Sequence, residues 1–257
     1  MCSIDVVKNY NEIKNRVKAA CERVGRNPEE VTIIAVSKTK PDWMVGKLSA
    51  AGVRDFGENK PQELMRKHDE LIYGEDGVNA ISRFEGEARQ EQILRWHMIG
   101  NIQTNKVKMF VGRAALIHSV PDMHVAGAIS AQAVKCGVTA HILIEVNIAG
   151  EETKHGFIGE EADLASDLEA LIREIQTLPN LSIDGLMAIC PPVDDPEKNR
   201  KYFQSLRLLR DSLKNSTGAP LTHLSMGMTG DFEVAVEEGA TYIRVGTAIF
   251  GARDYSK

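Results

Sequence analysis

The chain of 257 residues is 43% hydrophobic and 26% charged, with a formal net charge of -5 at pH 7. That balance suits a globular protein with a large core, and it excludes recruitment to nucleic acid or anionic membranes by bulk charge alone. No apolar run approaches the roughly 20 residues of a membrane span, the first ten residues lack the apolar stretch of a secretory signal, and Cys2, Cys21, Cys136 and Cys190 form neither a C-x-x-C pair nor a zinc-spaced cluster, so a reduced, cytoplasmic protein is expected.

Val6, Tyr10, Ile13, Val17, Ala20 and Val24 recur at spacings of three and four, which predicts an N-terminal helix stopped at Gly25. Residues 31–36 are a short, β-branched apolar run, the pattern of a strand buried on both faces. A helix over 41–51 follows, then a second strand over 53–56 and a helical stretch from Pro61. Residues 73–90, rich in Gly, Glu and Arg, read as an insertion, either a loop or a short extra helix. Further strands fall at 96–99, 114–118, 141–146, 183–189, 221–224 and 241–245. Helices at 124–135, 160–176, 199–214 and 232–238 separate the later ones. Eight strands alternating with helices predict a parallel α/β fold, and eight is the number that closes a (β/α)8 barrel. A doubly wound open sheet is the competing arrangement, but no glycine-rich dinucleotide fingerprint follows the first strand. No linker divides the chain, so residues 1–257 are read as a single domain of the roughly 250 residues usual for such a barrel.

Chemistry in this fold sits at the C-terminal ends of the strands. Lys38 lies just past the first strand, where an amine, desolvated, becomes a nucleophile toward carbonyls. A solvated surface lysine is the plain alternative, and Lys40 fits that description. Past the seventh and eighth strands stand Ser225, Gly227, Gly246 and Thr247. Small residues and hydroxyls there let backbone N–H groups approach a phosphate, or else merely form turns and caps. Arg244 interrupts an apolar strand, so it points into the barrel or snorkels outward. A lysine, a phosphate cup and a partner for a pyridine nitrogen together suit pyridoxal 5'-phosphate.

Several segments carry a resemblance: Ala35-Val-Ser-Lys-Thr-Lys-Pro41, Phe56-Gly-Glu-Asn59, Trp96-His-Met-Ile-Gly100 with Gln103-Thr-Asn-Lys106, Gly185-Leu-Met-Ala188, Leu224-Ser-Met-Gly-Met228, and Arg244-Val-Gly-Thr247 with Ile249-Phe-Gly251. In these the chain resembles the pyridoxal phosphate homeostasis protein family from end to end. The resemblance implies a barrel like the N-terminal domain of alanine racemase. It implies Lys38 as the Schiff-base lysine, Ser225, Gly246 and Thr247 at the phosphate, Arg244 facing the pyridine nitrogen and Asn59 near the ring. Met187, on the sixth strand, and Met226, beside Ser225, complete the candidate cofactor contacts, and no metal site is expected. The implied role is to hold, buffer and deliver the cofactor in vitamin B6 homeostasis, as a monomer with apo-enzymes as recipients. The competing class is a pyridoxal phosphate-dependent amino-acid racemase or a related enzyme. Only residues 252–257 follow the last motif, so no second domain is expected to supply a base on the cofactor's other face. His97, Tyr242 and Tyr255 are candidate acid/base groups, and packing or hydrogen bonding accounts for each more simply. Lys154 and Lys40 are further lysines whose reaction with the cofactor is left open.

Overall fold

The computed structural model describes residues 4–73, 94–149 and 161–252. The expected insertion at 73–90 lies outside them except for Tyr73, as do Lys154 and Tyr255. Eight strands form a closed, all-parallel barrel in sequence order: β1 (Thr32–Val36), β2 (Asp55–Glu58), β3 (Arg95–Met98), β4 (Ala114–Val120), β5 (Ala140–Glu145), β6 (Leu181–Met187), β7 (His223–Met228) and β8 (Tyr242–Val245). Pairing of Ile34 with Arg244 and of Ala35 with Val245 closes the ring. The outer layer comprises α1 (Val6–Arg23), α2 (Asp42–Ala50), α3 (Pro61–Tyr73), α4 (Met123–Cys136), α5 (Glu161–Ile175), α6 (Arg200–Thr217), α7 (Phe232–Glu237) and α8 (Thr247–Phe250). A 3-10 helix, Thr104–Met109, stands between β3 and β4 in place of an α-helix. Because α8 is a single turn, α1 completes the ring beside it. Asn9 donates to the Ile249 carbonyl at 2.9 Å, and Arg16 and Arg23 pair with Glu233 and Glu237 of α7.

The periodic segments form the elements expected of them. Asp5 caps α1 by accepting from the Lys8 N–H, and the predicted stripe Val6, Ile13, Val17 and Ala20 is buried. Asp122 caps α4, and Gly137 ends it in the left-handed region. Four strands differ from the sequence reading by two residues or more. β2 starts and ends two residues later than 53–56, β4 runs two residues past 118, β6 starts and ends two residues earlier than 183–189, and β7 occupies His223–Met228 in place of 221–224. Leu221 has φ of 37°, outside strand geometry, so β7 cannot begin there. Gly57, Glu58, Ser225 and Gly227 are poor strand formers alone, but the flanking parallel strands impose the register: Gly57 pairs with His97, and Ser225 with Met187.

The core has two unlike parts. Between strands and helices it is apolar, built from residues such as Phe56, Trp96, Ile142, Leu186, Leu224 and Ile243. A separate small apolar cluster, Leu116, Leu143 and Met187, has Ile189 and Tyr242 packed against it. The same strands bury Asp55, His97, His118, Ser225 and Arg244, where barrels of this type usually stack branched apolar side chains.

Candidate functional site

A cavity of about 320 Å³ opens at the C-terminal ends of the strands. Val36, Lys38, Asn59, Ile99, Ile189, Met228 at the end of β7, the loop residues Thr229 and Gly230, and Arg244, Gly246 and Thr247 line it. Five of the eight expected cofactor contacts therefore meet in one place: Lys38, Asn59, Arg244, Gly246 and Thr247. A larger hollow of about 580 Å³ lies at the other end of the barrel, lined by Tyr10, Lys14, Lys18, Asp55 and Arg95 among others. Size alone would favour it. It lacks the converging strand ends that position chemistry in this fold, so the smaller cavity is the candidate site.

Lys38 is held by its turn. Ser37 and Lys40 close the turn with a 3.0 Å backbone hydrogen bond, and Thr39 has φ of 62°. Threonine rarely adopts that left-handed conformation, which costs about 1–3 kcal/mol, so the surroundings must impose it. They do so from two sides. The Thr39 N–H donates to Glu63 at 2.8 Å. Lys40 donates to the carbonyls of Phe250, Gly251 and Ala252 at 2.8–3.1 Å, so its amine fastens the segment after α8. Lys38 lines the cavity beside Val36, the last residue of β1.

Behind the turn lies an ion cluster that sequence reading missed. Lys67 is fully buried and donates to the Ser37 carbonyl at 2.7 Å and to Glu58 at 2.8 Å, with Glu63 at 2.9 Å. The Ser37 hydroxyl also donates to Glu58, at 2.6 Å. Burial pushes the Glu58 carboxyl pKa up, against the opposing pull of Lys67 and Ser37. A signal was present: Leu64, Lys67 and Leu71 share one buried stripe of α3, and a lysine in such a stripe needs an acidic partner.

Asn59 follows β2 with its side-chain oxygen Oδ1 buried and without a hydrogen-bond partner. Gly100 lets the chain after β3 approach it, since a Cβ there would sit 2.2 Å from the Asn59 carbonyl oxygen. Across the cavity Arg244 is buried and doubly held: Nη1 donates to Ser225 Oγ at 2.7 Å and Nη2 to the Ala188 carbonyl at 2.9 Å. Burial lowers its pKa to about 10, which still leaves it a cation at neutral pH. The loop after β7 is tied by Asp231, which accepts from the Met228 N–H at 2.7 Å and from Asn199 at 2.8 Å. A Cβ on Gly230 would meet nothing within 4 Å, so open space borders the backbone of that loop.

Three expected contacts do not line the cavity. The Ser225 hydroxyl, read as part of a phosphate cup, lies within β7 and is fully buried beneath Arg244. Met226, on the opposite parity, packs in the apolar layer outside the barrel. Met187 belongs to the small apolar cluster with Leu116 and Leu143. Ile99, Ile189, Met228, Thr229 and Gly230 line the cavity without having been expected there. They come from loops and strand ends whose convergence only the closed barrel creates. His97 and Tyr242 do not line the cavity; their rings pack against each other at a tilt, 5.6 Å apart.

Comparison with known proteins gives three kinds of likeness. Residues 9–254 match the family model described as "Alanine racemase, N-terminal domain". A pyridoxal phosphate homeostasis protein of Aquifex aeolicus is 38% identical over 98% of this chain and 100% of its own length. Among solved structures, one from Bifidobacterium adolescentis aligns at 35% identity with a TM-score of 0.82, covering 95% of this chain and 94% of that one. PipY of Synechococcus elongatus, solved with pyridoxal phosphate bound, aligns at 30% identity with a TM-score of 0.72, covering 92% of this chain and all of that one.

Proposed function

This chain belongs to the pyridoxal phosphate homeostasis protein family, and on that premise we propose that it holds pyridoxal 5'-phosphate on Lys38 and buffers and delivers it within the cell. One observation carries the site assignment. Lys38, Asn59, Arg244, Gly246 and Thr247, from three strand ends, line a single cavity at the chemically active end of the barrel. The residues fit the group. The unpartnered Asn59 oxygen offers an acceptor to the ring hydroxyl. The open backbone around Gly230, which lines the cavity together with the Gly246–Thr247 step, leaves room for a phosphate. The Arg244 cation faces the cavity as a donor, suited to an unprotonated ring nitrogen. Pyridoxal phosphate supplies an electrophilic carbonyl, and Lys38 supplies the amine that holds it reversibly. The test is borohydride reduction of the loaded protein followed by peptide mapping. Modification at Lys38 is expected, and a label confined to another lysine would overturn the assignment.

The racemase reading is disfavoured by the lining of the same cavity. Racemisation moves a proton on each face of the cofactor and needs positioned groups of suitable pKa. No His, Tyr, Cys, Asp or Glu lines the described cavity. A fixed Arg244 also makes the ring a weaker electron sink. Negligible racemisation of alanine and other common amino acids is therefore expected. Steady turnover well above that of free cofactor, followed by chiral chromatography, would reinstate the enzyme. The free thiols of Cys21 and Cys136 fit a reducing cytoplasm, and no helix among the described residues is long and apolar enough to cross a membrane. We read the chain as a monomer that hands its cofactor to apo-enzymes.

A further inference from the structure

Five buried polar residues of the barrel, Arg244, Ser225, His118, His97 and Asp55, form one continuous chain. Arg244 donates to Ser225 Oγ at 2.7 Å, and Ser225 Oγ lies 2.8 Å from His118 Nδ1. His118 Nε2 lies 3.0 Å from His97 Nδ1, and His97 Nε2 lies 3.0 Å from Asp55 Oδ1. Arg95 closes the far end with two hydrogen bonds to Asp55. The links come from β8, β7, β4, β3 and β2, and run from the cavity to the opposite hollow, which Asp55 and Arg95 line.

Donor and acceptor roles in this chain follow from its carboxylate end. A carboxylate only accepts, so His97 donates from Nε2 to Asp55, and a neutral His97 ring is then bare at Nδ1. That nitrogen accepts from His118 Nε2, which leaves Nδ1 of a neutral His118 bare to accept the Ser225 proton. Ser225 Oγ in turn accepts from Arg244, since a guanidinium only donates. Burial opposes ionisation of Asp55, but hydrogen bonds from His97 and Arg95 outweigh it and hold its pKa below the usual range. Burial, with His97 and Arg244 nearby, also pushes the His118 pKa well down, in keeping with a neutral ring. Tyr242 packs its ring against both imidazoles, at 5.6 and 5.7 Å.

We propose that Asp55, His97, His118 and Ser225 are positioning residues that fix the orientation of Arg244 toward the cofactor ring through a one-way hydrogen-bond chain. The carboxylate sets the histidine tautomers, and the tautomers keep the lone pairs of Ser225 aimed at the guanidinium. Apolar side chains could fill the same space, so a polar chain that spans the barrel points to the residue at its end. The cofactor part of this inference rests on the proposed function; the tautomers do not.

The experiment therefore has two arms. In cofactor-free protein labelled with 15N, two-bond proton–nitrogen correlation should find His97 and His118 neutral with the proton on Nε2. A proton on Nδ1 of His118 would overturn the chain whatever the cofactor does. In protein loaded with pyridoxal phosphate, His118→Leu should shift the visible band and weaken retention about tenfold. His118→Asn, which keeps an acceptor for Ser225, should restore both. A His118→Leu protein with an unchanged band and unchanged retention would show that the chain does not position Arg244. Wild-type protein that takes up no pyridoxal phosphate would instead defeat the proposed function and leave the tautomer result to judge the chain.

Discussion

Lys38→Ala is expected to abolish the visible absorbance of the cofactor-loaded protein and to leave borohydride without a target in the cavity. The reason is chemical: among residues lining the described cavity, Lys38 alone carries an amine that can condense with an aldehyde. Lys40 stands two residues away but gives its amine to three backbone carbonyls at the end of α8. Taking it for the cofactor would release the segment after β8 that bears Gly246 and Thr247. The variant should fold normally, because Lys38 is only half-buried and its turn is held by backbone and by Glu63. Noncovalent uptake through Arg244, Gly246 and Thr247 should survive, weakened by about a hundredfold, which is roughly 2.7 kcal/mol. Equilibrium dialysis separates the two contributions. A Lys38→Ala protein that keeps a reducible visible band would sink both the site assignment and the role given to Lys40.

How much of this was legible in the sequence depends on which interactions hold each residue. β1 announced itself as a continuous apolar run because a strand covered on both faces needs nothing else. Helix α1 did the same through its 3.6-residue stripe. β7 was misplaced because Ser-Met-Gly-Met has little strand preference of its own, and its conformation comes from pairing with β6 and β8. The same shift places the Ser225 hydroxyl inside the strand, where it accepts from Arg244. Lys38 was readable as a lysine just past an apolar strand, and Arg244 as a polar break within one. His118 was a break of the same kind and Lys67 interrupted an apolar helix stripe, but their partners lie up to 107 residues away in the chain. Spacing shows that such a residue is anomalous; only the closed barrel shows what resolves the anomaly.

Lys67→Met is expected to be the most destabilising single change near the site. Lys67 and Glu58 are both fully buried, and Lys67 also holds the Ser37 carbonyl. Removing one member of a buried pair strands the other charge, at a cost of about 3–5 kcal/mol, and for a chain of this size the melting temperature should fall by about 10 °C. Adding Glu58→Gln should recover part of the loss, because no uncompensated charge then remains. The pH dependence identifies the cause. Burial already raises the folded-state pKa of Glu58, and Lys67 and Ser37 pull it back down. Without Lys67 it rises further above its unfolded value. A raised acid pKa means that the native state binds the extra proton, so stability is retained below the unfolded pKa and lost as pH climbs through the folded one. The deficit of Lys67→Met against wild type should therefore be small near pH 5 and large near pH 8 in urea unfolding. A deficit equal at both pH values would mean that lost packing of the lysine stem, and not a stranded carboxylate, is responsible. The turn bearing Lys38 would then depend on shape alone, since the charge cluster behind it would carry no part of its stability.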